Sequence, residues 1–524
     1  MRLTSWILLL TVCFADLAAH AQYPWPNPIK HVVVIVQENR TPDNLFQGLC
    51  NFGAGCGPAL NQYDIKSTYV DAGHKRQPLQ PVGLATAFDL DHSYGGPALN
   101  NTISGFNFEY LNRGVATSPG VLVPPLCSPN VFGCAVPGNS QFMYVYNSPV
   151  ANTDGSKGGL LDPYLTLATR YGWANRMFQT NQGPSYPAHQ FLFGGTSAPT
   201  ASDDAVGVFV SENGPSTQVG CAAPPNIEVQ LVRPITPMPA QPPYGSETKG
   251  DVAAPCFTHQ ALSDLLYPNF TWTYYAITTG VQNGGANLAG SIWTAPNSLT
   301  SLCIPAKDQN GFLQCTGPYW NKGMANGYVD LNPPDVLADI GDCNLANVSW
   351  VIPDGKYSDH PINSGQGPSW VAAVVNAIGN STNCDNNSGY WKDTAIFITW
   401  DDWGGWFDHV APVILKNTQK YQDQYSYQLG FRVPLIVVSA YSPQPGYINN
   451  EINDFGSILR GIEGMFKLPG GEGALNFADA RATTDLSRFF NFNQTPTIYT
   501  TIPAPLQADY FVSFPSPPEP PDTD

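Results

Sequence analysis

Uninterrupted apolar runs mark the predicted strands of this chain, and each run ends abruptly at polar residues. The run 31–37 consists of valine and isoleucine between His31 and Gln37, which is typical of a strand buried on both faces. Further buried strands are predicted at 347–352, 395–398 and 432–440. Apolar residues spaced three or four apart instead predict helices at 158–171, 370–378 and 455–466.

The alternation of strands and helices predicts an α/β fold with a mostly parallel central sheet sandwiched by helices. Residues 50–155 and 200–255 carry turn signals instead of a period, so they predict long loop insertions. We therefore expect a single domain over 22–500 and a proline-rich tail, lying on the surface or disordered, over 501–524.

The first 21 residues have the pattern of an export signal. Arg2 precedes a short apolar core, and Ala19, His20 and Ala21 form a small-residue cleavage site. No later apolar stretch reaches the ~20 residues that a membrane-spanning helix needs. The expectation is a secreted or periplasmic protein that is cleaved after Ala21.

Charge argues against some partners. The formal net charge is −17, and only 12% of the residues are charged. Tight nucleic-acid binding depends on basic residues that neutralise phosphates, so an acidic chain argues against it. The same charge disfavours docking on anionic lipid.

Cysteine usage fits an oxidising compartment. Of 11 cysteines, Cys13 lies in the signal and leaves an even number behind. Spacing does not fix the connectivity, but local pairs are the simplest candidates, and no cysteine lies in a CxxC or zinc-type pattern. The local pairs are Cys50 with Cys56, Cys127 with Cys134, and Cys303 with Cys315.

Two strand ends carry hard oxygen ligands. Asp401 and Asp402 come after the run 395–398 and the two residues Thr399 and Trp400 that end it. Adjacent carboxylates repel each other unless a cation lies between them. Glu38 and Asn39 follow the run 31–37 in the same way. Ligands of open α/β sheets bind at these strand ends, which predicts one divalent metal of unknown identity. A plain hairpin turn rich in Asp and Gly is the alternative.

A serine and several histidines are the remaining candidate catalytic residues. Ser185 follows a Gly-Pro bend where a helix is predicted to start, a position suited either to anion binding or to an ordinary N-cap. His360 and His409 follow predicted strand ends, whereas His92 lies in a polar loop where a surface role is equally compatible. Together these residue types suit metal-assisted phosphoryl transfer.

The chain resembles the bacterial phosphoesterase family of phospholipases C and acid phosphatase A, within the alkaline-phosphatase-like superfamily. The matching segments run in the family's order from residue 31 to about 490. They include HVVVIVQENRTPDNLF, DLDHS, GPSYPAH, VSWVIPDGKYSDHP, TWDDWGGWFDHV, GFRVPLIVVSAYS and FGSILRGIE.

The resemblance implies a hydrolase acting on phosphate esters and a role for each matching residue. Glu38, Asn39, Asp401 and Asp402 would hold the metal and phosphate, and Ser185 would be the nucleophile that becomes phosphorylated. Catalytic His92 and His360 would serve the leaving group. His409 would join Asn39 in contacting phosphate. Phosphomonoesters, phosphodiesters and phospholipids all remain compatible substrates.

Two other classes of function stay open. A metal-independent serine acyl hydrolase would need a G-x-S-x-G elbow, but Pro187 stands two residues after Ser185. A non-catalytic exported protein that binds sugars or lipid headgroups would use Trp403 and Trp406 as stacking surfaces. In a phosphoesterase, the same two rings and Phe407 could form a cage for a choline cation or simply belong to the core.

Overall fold

The computed structural model describes residues 28–513 except 71–74, 87–88, 91, 95–141, 215–219, 236–244, 278–280, 283–284, 287–289, 310, 321–327, 362–364, 385–387 and 416–426. The predicted signal, the pair Cys127 with Cys134 and the end of the tail lie outside these residues. No helix in the described ranges has the length and apolar character that crossing a bilayer requires.

An eight-stranded sheet forms the centre of the fold. Its strands are β1 (His31–Gln37), β2 (Gly172–Ala174), β3 (Trp272–Tyr275), β4 (Tyr328–Asp330), β5 (Val348–Val351), β6 (Thr394–Trp400), β7 (Leu435–Ser439) and β8 (Tyr447–Asn449). Their order across the sheet is β4-β3-β5-β1-β6-β7-β2-β8. The five neighbouring strands β4, β3, β5, β1 and β6 run parallel, and β7 is antiparallel to both of its neighbours, β6 and β2. This arrangement confirms the prediction of a mostly parallel sheet.

Both faces of the sheet are covered. Every residue of β6 and β7 is buried, as is all of β1 after His31. Successive side chains of a strand point to opposite faces, so complete burial requires packing on each side. Within the described part of the chain, the α-helices are α1 (Pro42–Leu45), α2 (Asp162–Arg170), α3 (Ser185–Gly194), α4 (Ala201–Ala205), α5 (Leu262–Leu266), α6 (Asp335–Gly341), α7 (Gly367–Asn380), α8 (Phe455–Phe466), α9 (Ala478–Arg481) and α10 (Ala508–Ser513).

The insertion predicted over 200–255 contains more regular structure than a loop. Three antiparallel strands form a small sheet within it, at Phe209–Val210, Val229–Pro234 and Gly245–Ala253. A disulfide between Cys221 and Cys256 closes this region. Residues 501–513 pack on the domain, because Ile502 and Phe511 are buried.

Disulfides hold other irregular segments. The pairs Cys50–Cys56 and Cys303–Cys315 confirm two of the local pairs expected from the sequence. A further bond joins Cys343 to Cys384 across a separation of 41 residues. These bonds lie outside the eight-stranded sheet, where the hydrophobic core of the sheet supplies little constraint.

Candidate active site

Strand register brings the first two acidic clusters together. Gln37 at the end of β1 is paired with Trp400 at the end of β6, so Glu38 and Asp401 leave the sheet side by side. The Asp401 N–H donates to the Gln37 carbonyl across 3.0 Å, which extends the pairing past the strands. All four predicted metal residues, Glu38, Asn39, Asp401 and Asp402, are fully buried at this edge.

A tight turn follows the paired aspartates. Gly404 has a φ of +61°, and a Cβ at this position would collide with the backbone carbonyl of Asn39. The Gly404 N–H donates to Asp402 Oδ1 across 2.7 Å. The chain thus passes directly over Asn39 and holds Asp402 in place, which a residue with a side chain would prevent.

Helix α3 brings Ser185 to the same edge. Pro184 occupies the N-cap, and Ser185 is the first helical residue rather than the cap. Its Oγ lies 3.1 Å from Glu38 Oε2 and 3.3 Å from Asp402 Oδ2. The hydroxyl therefore faces the acidic cluster, and the N-cap alternative is not the arrangement observed.

Two amides order the turn that precedes Ser185. Gln179 Nε2 donates to the Gly183 carbonyl at 3.0 Å, and Asn181 Nδ2 donates to the same carbonyl at 2.7 Å. Asn181 Nδ2 also lies 3.2 Å from the Pro184 carbonyl. These contacts fix the backbone from which the serine projects.

His189 is a site residue that the sequence analysis missed. It lies one helical turn after Ser185, and its Nε2 is 2.9 Å from Glu38 Oε1 and 3.9 Å from Asp401 Oδ2. Its Nδ1 lies 3.3 Å from the Tyr274 hydroxyl. The spacing of four residues in a helix was the available signal, because residues i and i+4 share one face.

Hydrogen bonding fixes which ring nitrogen of His189 carries the proton. The Tyr274 hydroxyl donates to the Trp293 carbonyl at 2.8 Å, so its oxygen accepts from His189 Nδ1–H. Burial lowers the pKa of His189 to about 3, which keeps the ring neutral. The Nε2 lone pair then faces the Glu38 carboxylate, and two acceptors this close require a proton or a cation between them.

The electrostatics of the carboxylates point the same way. Burial raises the pKa of Asp401 to about 8, with the charge of Asp402 as the next cause. Burial, followed by the charge of Asp401, raises the pKa of Glu38 well above its usual range. Three acids this close cannot all be ionised without a positive charge among them.

These residues fit a divalent cation. Glu38, His189 and Asp401 each offer a ligand atom, and the three atoms lie within 4.8 Å of one another. Three buried oxygen atoms have no hydrogen-bond partner among the described residues. They are Oδ1 and Oδ2 of Asp401 and Oδ1 of Asn39. A buried acceptor without a donor is costly, so a cation at this position accounts for the arrangement.

Two of the predicted histidines stand near this cluster. His92 Nε2 accepts from Asn39 Nδ2 at 3.3 Å and lies 3.9 Å from Asp402 Oδ2, while its Nδ1–H donates to the Leu90 carbonyl. His360 Nε2 lies 3.5 Å from Asp89 Oδ2. The two imidazole rings have centroids 6.4 Å apart.

His409 lies in a second cluster. Its Nδ1 is 2.6 Å from Asp43 Oδ2 and its Nε2 is 3.0 Å from Asp64 Oδ1, so both ring nitrogens already face carboxylates. Arg432 adds ion pairs to Asp43 and Asp408 at 3.3 and 2.9 Å. His409 is therefore part of an ion-pair network with Asp43 and Asp64, and its contact with phosphate stays a prediction.

The tryptophans beside the site belong to the core. Trp403 stacks on Phe431 with ring centroids 4.1 Å apart, and the Arg40 guanidinium lies 4.7 Å from the centroid of Trp406. Both tryptophans are buried. A protein cation already occupies one of these rings, which argues against a choline cage built from this pair.

Comparison with known proteins identifies the family. A model described as the phosphoesterase family matches residues 29–469. This chain belongs to that family, as the motifs implied.

Curated relatives include phospholipases C. A non-hemolytic phospholipase C of Pseudomonas aeruginosa is 30% identical over 217 residues, which cover 36% of this chain and 29% of that protein. A phospholipase C B of Mycobacterium tuberculosis is 30% identical over 207 residues, covering 36% of this chain and 37% of that protein. The matched region thus spans only about a third of these relatives' lengths.

Among solved structures, a protein in the alkaline phosphatase superfamily from Vibrio parahaemolyticus aligns with a TM-score of 0.29. The identity is 13%, and the alignment covers 61% of this chain and 63% of that one.

Proposed function

We propose that this protein is a metal-dependent phosphoesterase with Ser185 as its nucleophile. The observation that carries the proposal is the position of the serine hydroxyl, within 3.3 Å of both Glu38 and Asp402 in a buried acidic cluster. A hydroxyl is a poor nucleophile until its proton is removed or its charge is stabilised. A cation held by the acidic cluster would stabilise the charge of the deprotonated hydroxyl.

Glu38, Asp401, Asp402 and His189 are the residues that would hold the cation, with Asn39 beside them. The bound ion would lower the pKa of the serine hydroxyl and polarise the phosphoryl oxygens. Oxygen and imidazole ligands are compatible with several divalent metals. The ligand types alone therefore do not select one ion.

The reaction proceeds through a phosphoserine. The Ser185 oxygen attacks phosphorus in line, forming an Oγ–P bond as the bond from phosphorus to the leaving alcohol breaks. A histidine protonates the departing alcohol oxygen, and water later attacks the phosphoserine to release phosphate or a phosphomonoester. The phosphoryl acceptor thus comes from α3, and the proton donor comes from the segments that carry His92 and His360.

His92 and His360 are the proton carriers in this scheme. The Nδ1–H of His92 donates to the Leu90 carbonyl, so its Nε2 is the atom that exchanges a proton. His360 Nδ1 lies 3.0 Å from the Pro361 carbonyl, which likewise leaves Nε2 to exchange one. Single substitutions of each histidine, assayed with leaving groups of different acidity, distinguish the two. Loss of the general acid should lower the hydrolysis rate most for esters whose leaving alcohol is least acidic.

The protein acts outside the cytoplasm. The four disulfides between described cysteines fit an oxidising compartment, and the first 21 residues have the export pattern. The relatives named phospholipase C support a phosphate ester as substrate. Phospholipids, other diesters and monoesters share the phosphoryl chemistry that the site offers.

A substrate panel with and without EDTA tests the proposal. It includes phosphatidylcholine, p-nitrophenyl phosphate, bis(p-nitrophenyl) phosphate and p-nitrophenyl acetate. The proposal expects hydrolysis of at least one phosphate ester, loss of that activity in EDTA and recovery with added metal. Acetate hydrolysis that survives EDTA would identify an acyl hydrolase instead, and binding without turnover would identify a binding protein.

A further inference from the structure

The indole of Trp293 lies at the candidate active site, although it is neither a ligand for the cation nor a proton carrier. Its ring centroid is 6.4 Å from that of His189 and 6.3 Å from that of His360. His189 is one of the residues that would hold the cation, and His360 is one of the two proposed proton carriers. The indole therefore lies between a metal ligand and a histidine that would serve the leaving group.

The indole N–H of Trp293 is a buried donor without an acceptor. The residue is 1% exposed, and among the described residues its Nε1 has no hydrogen-bond partner. An indole nitrogen can only donate, so a change of tautomer cannot remove the need for an acceptor. Because buried donors are nearly always paired, an acceptor bound at the site accounts for this one.

Hydrogen bonds to the backbone hold Trp293 in place beside His189. The Trp293 backbone N–H donates to Ser291 Oγ at 3.2 Å, and the Trp293 carbonyl accepts from the Tyr274 hydroxyl at 2.8 Å. The same hydroxyl accepts from His189 Nδ1–H at 3.3 Å. One tyrosine thus positions both residues, so a donor carried by Trp293 has a fixed place relative to the metal ligands.

Six side chains form a closed circuit at the site, and Trp293 completes it. Each member neighbours the next through a hydrogen bond, an ion pair, a ring contact or one turn of helix α3. In order, they are Ser185, Asp402, His92, His360, Trp293 and His189. The circuit contains no lysine or arginine, so apart from the histidines and the serine the indole N–H is the donor that it offers to an anion.

We propose that Trp293 Nε1–H donates a hydrogen bond to a non-bridging oxygen of the phosphoryl group that Ser185 attacks. This inference rests on the proposed phosphoesterase function and adds a substrate-binding residue to the same site. Fixed donors stabilise the negative charge on the non-bridging oxygens, and a donor in a buried site needs little reorganisation during the reaction. The ester supplies the acceptor that the buried indole lacks.

Replacing Trp293 with Phe tests the proposal in the full-length protein at saturating metal. Phenylalanine keeps an aromatic ring beside His189 and His360 but removes the N–H. The substrate is whichever of p-nitrophenyl phosphate and bis(p-nitrophenyl) phosphate wild type hydrolyses faster. We expect kcat/KM to fall about 10–100-fold, the equivalent of one hydrogen bond to a charged oxygen.

Two further measurements on the Trp293→Phe protein distinguish a substrate contact from an effect on the metal ligands. Orthovanadate mimics the phosphoryl group in transfer, so its inhibition constant should rise by a similar factor. The metal concentration that gives half of the maximal activity should stay as in wild type. A raised metal requirement with unchanged inhibition by vanadate would overturn the proposal, since Trp293 would then act through His189.

Trp370→Phe is the matched control. Trp370 is also fully buried, and its Nε1 likewise has no partner among the described residues, but its ring packs on Tyr357 and Phe511. This variant should keep the wild-type kcat/KM and inhibition by vanadate. An equal loss in both variants would overturn the proposal, because the removal of any buried indole would then account for it.

A second replacement covers the case in which Trp293→Phe does not fold. The amino acid 3-benzothienylalanine, incorporated at position 293, has nearly the shape of tryptophan but carries sulfur in place of the N–H. The same losses of kcat/KM and vanadate affinity are expected, and wild-type values would overturn the proposal. Failure of the proposed function is distinct, because wild type would then hydrolyse neither ester.

Discussion

The Ser185 hydroxyl donates to the Glu38 carboxylate across 3.1 Å, although 147 residues separate the two in the chain. Glu38 is delivered by the end of β1, and Ser185 by the start of α3. Asp402, from the end of β6, lies 3.3 Å from the same hydroxyl. Three distant segments therefore meet at one oxygen atom, and the reaction that we propose begins there.

Replacing Ser185 with Ala is expected to lower kcat by roughly a thousandfold or more, because the oxygen that accepts the phosphoryl group is lost. Folding should be preserved, since alanine suits a helical position. Phosphate release and the melting temperature report the two effects. The control is Ser197→Ala, which removes a buried hydroxyl that donates to the Val210 carbonyl, and it should retain turnover.

Replacing Asp401 with Asn should abolish tight metal binding. Metal raises the melting temperature of wild type because it binds the folded state alone, and the variant should lose this increase. Without metal, the variant should melt above wild type at pH 8, because the amide no longer repels Asp402. Calorimetry with and without metal measures both. An exposed control, Asp342→Asn, should behave as wild type, and an undiminished metal response in Asp401→Asn would contradict the assignment.

Tyr274 is expected to act through His189. Its hydroxyl oxygen lies 3.3 Å from His189 Nδ1 and fixes which nitrogen faces the carboxylates. Replacing Tyr274 with Phe should weaken metal affinity about 10–100-fold, as loss of such supporting contacts typically does. Activity should return at saturating metal, which a purely structural defect would not show. Titration of activity against metal concentration provides the readout.

The network around His409 should make stability depend on pH. Burial opposes ionisation of Asp64, but the hydrogen bond from His409 and the charge of Arg432 outweigh it and lower the pKa of Asp64 to about 2. Burial lowers the pKa of His409, yet the charge of Asp43 outweighs that effect and the net shift is upward. Asp64 therefore stabilises the fold at pH values above the pKa that it has in the unfolded chain. His409 stabilises the fold at pH values below the pKa that it has in the unfolded chain.

Replacing Asp64 with Asn should therefore lower the free energy of unfolding by about 2 kcal/mol between pH 4 and 6.5. The loss should vanish as the pH falls through about 2, where Asp64 of the folded wild type is protonated. It should also shrink above the raised pKa of His409, where the imidazole is neutral. Urea unfolding across this pH range measures the difference. A difference independent of pH would contradict the network.

The parallel strands and their acidic ends were predictable because the information is local. An unbroken run of apolar and β-branched residues allows little besides a buried strand, and both β1 and β6 in the centre of the sheet follow that rule. The end of β1 was predicted at Gln37, where the structure has it. Glu38 and Asp401 meet because the two strands are parallel and in register.

Other features depend on contacts between distant segments. His409 follows a strand end just as Asp401 does, but Asp43, Asp64 and Arg432 draw it into an ion-pair network. His189 could have been predicted as a site residue, because it lies four residues after Ser185 and residues i and i+4 share one face of a helix. The insertion sheet was not predicted because its strands contain, or are flanked by, proline and glycine.

Trapping of the phosphorylated enzyme tests the central claim most directly. Wild-type protein turning over p-nitrophenyl phosphate with metal is quenched in acid, digested and analysed by mass spectrometry. The account predicts one added phosphoryl group on Ser185, and no such peptide from Ser185→Ala. A phosphoryl group on another residue, or steady turnover in the Ser185→Ala protein, would contradict it.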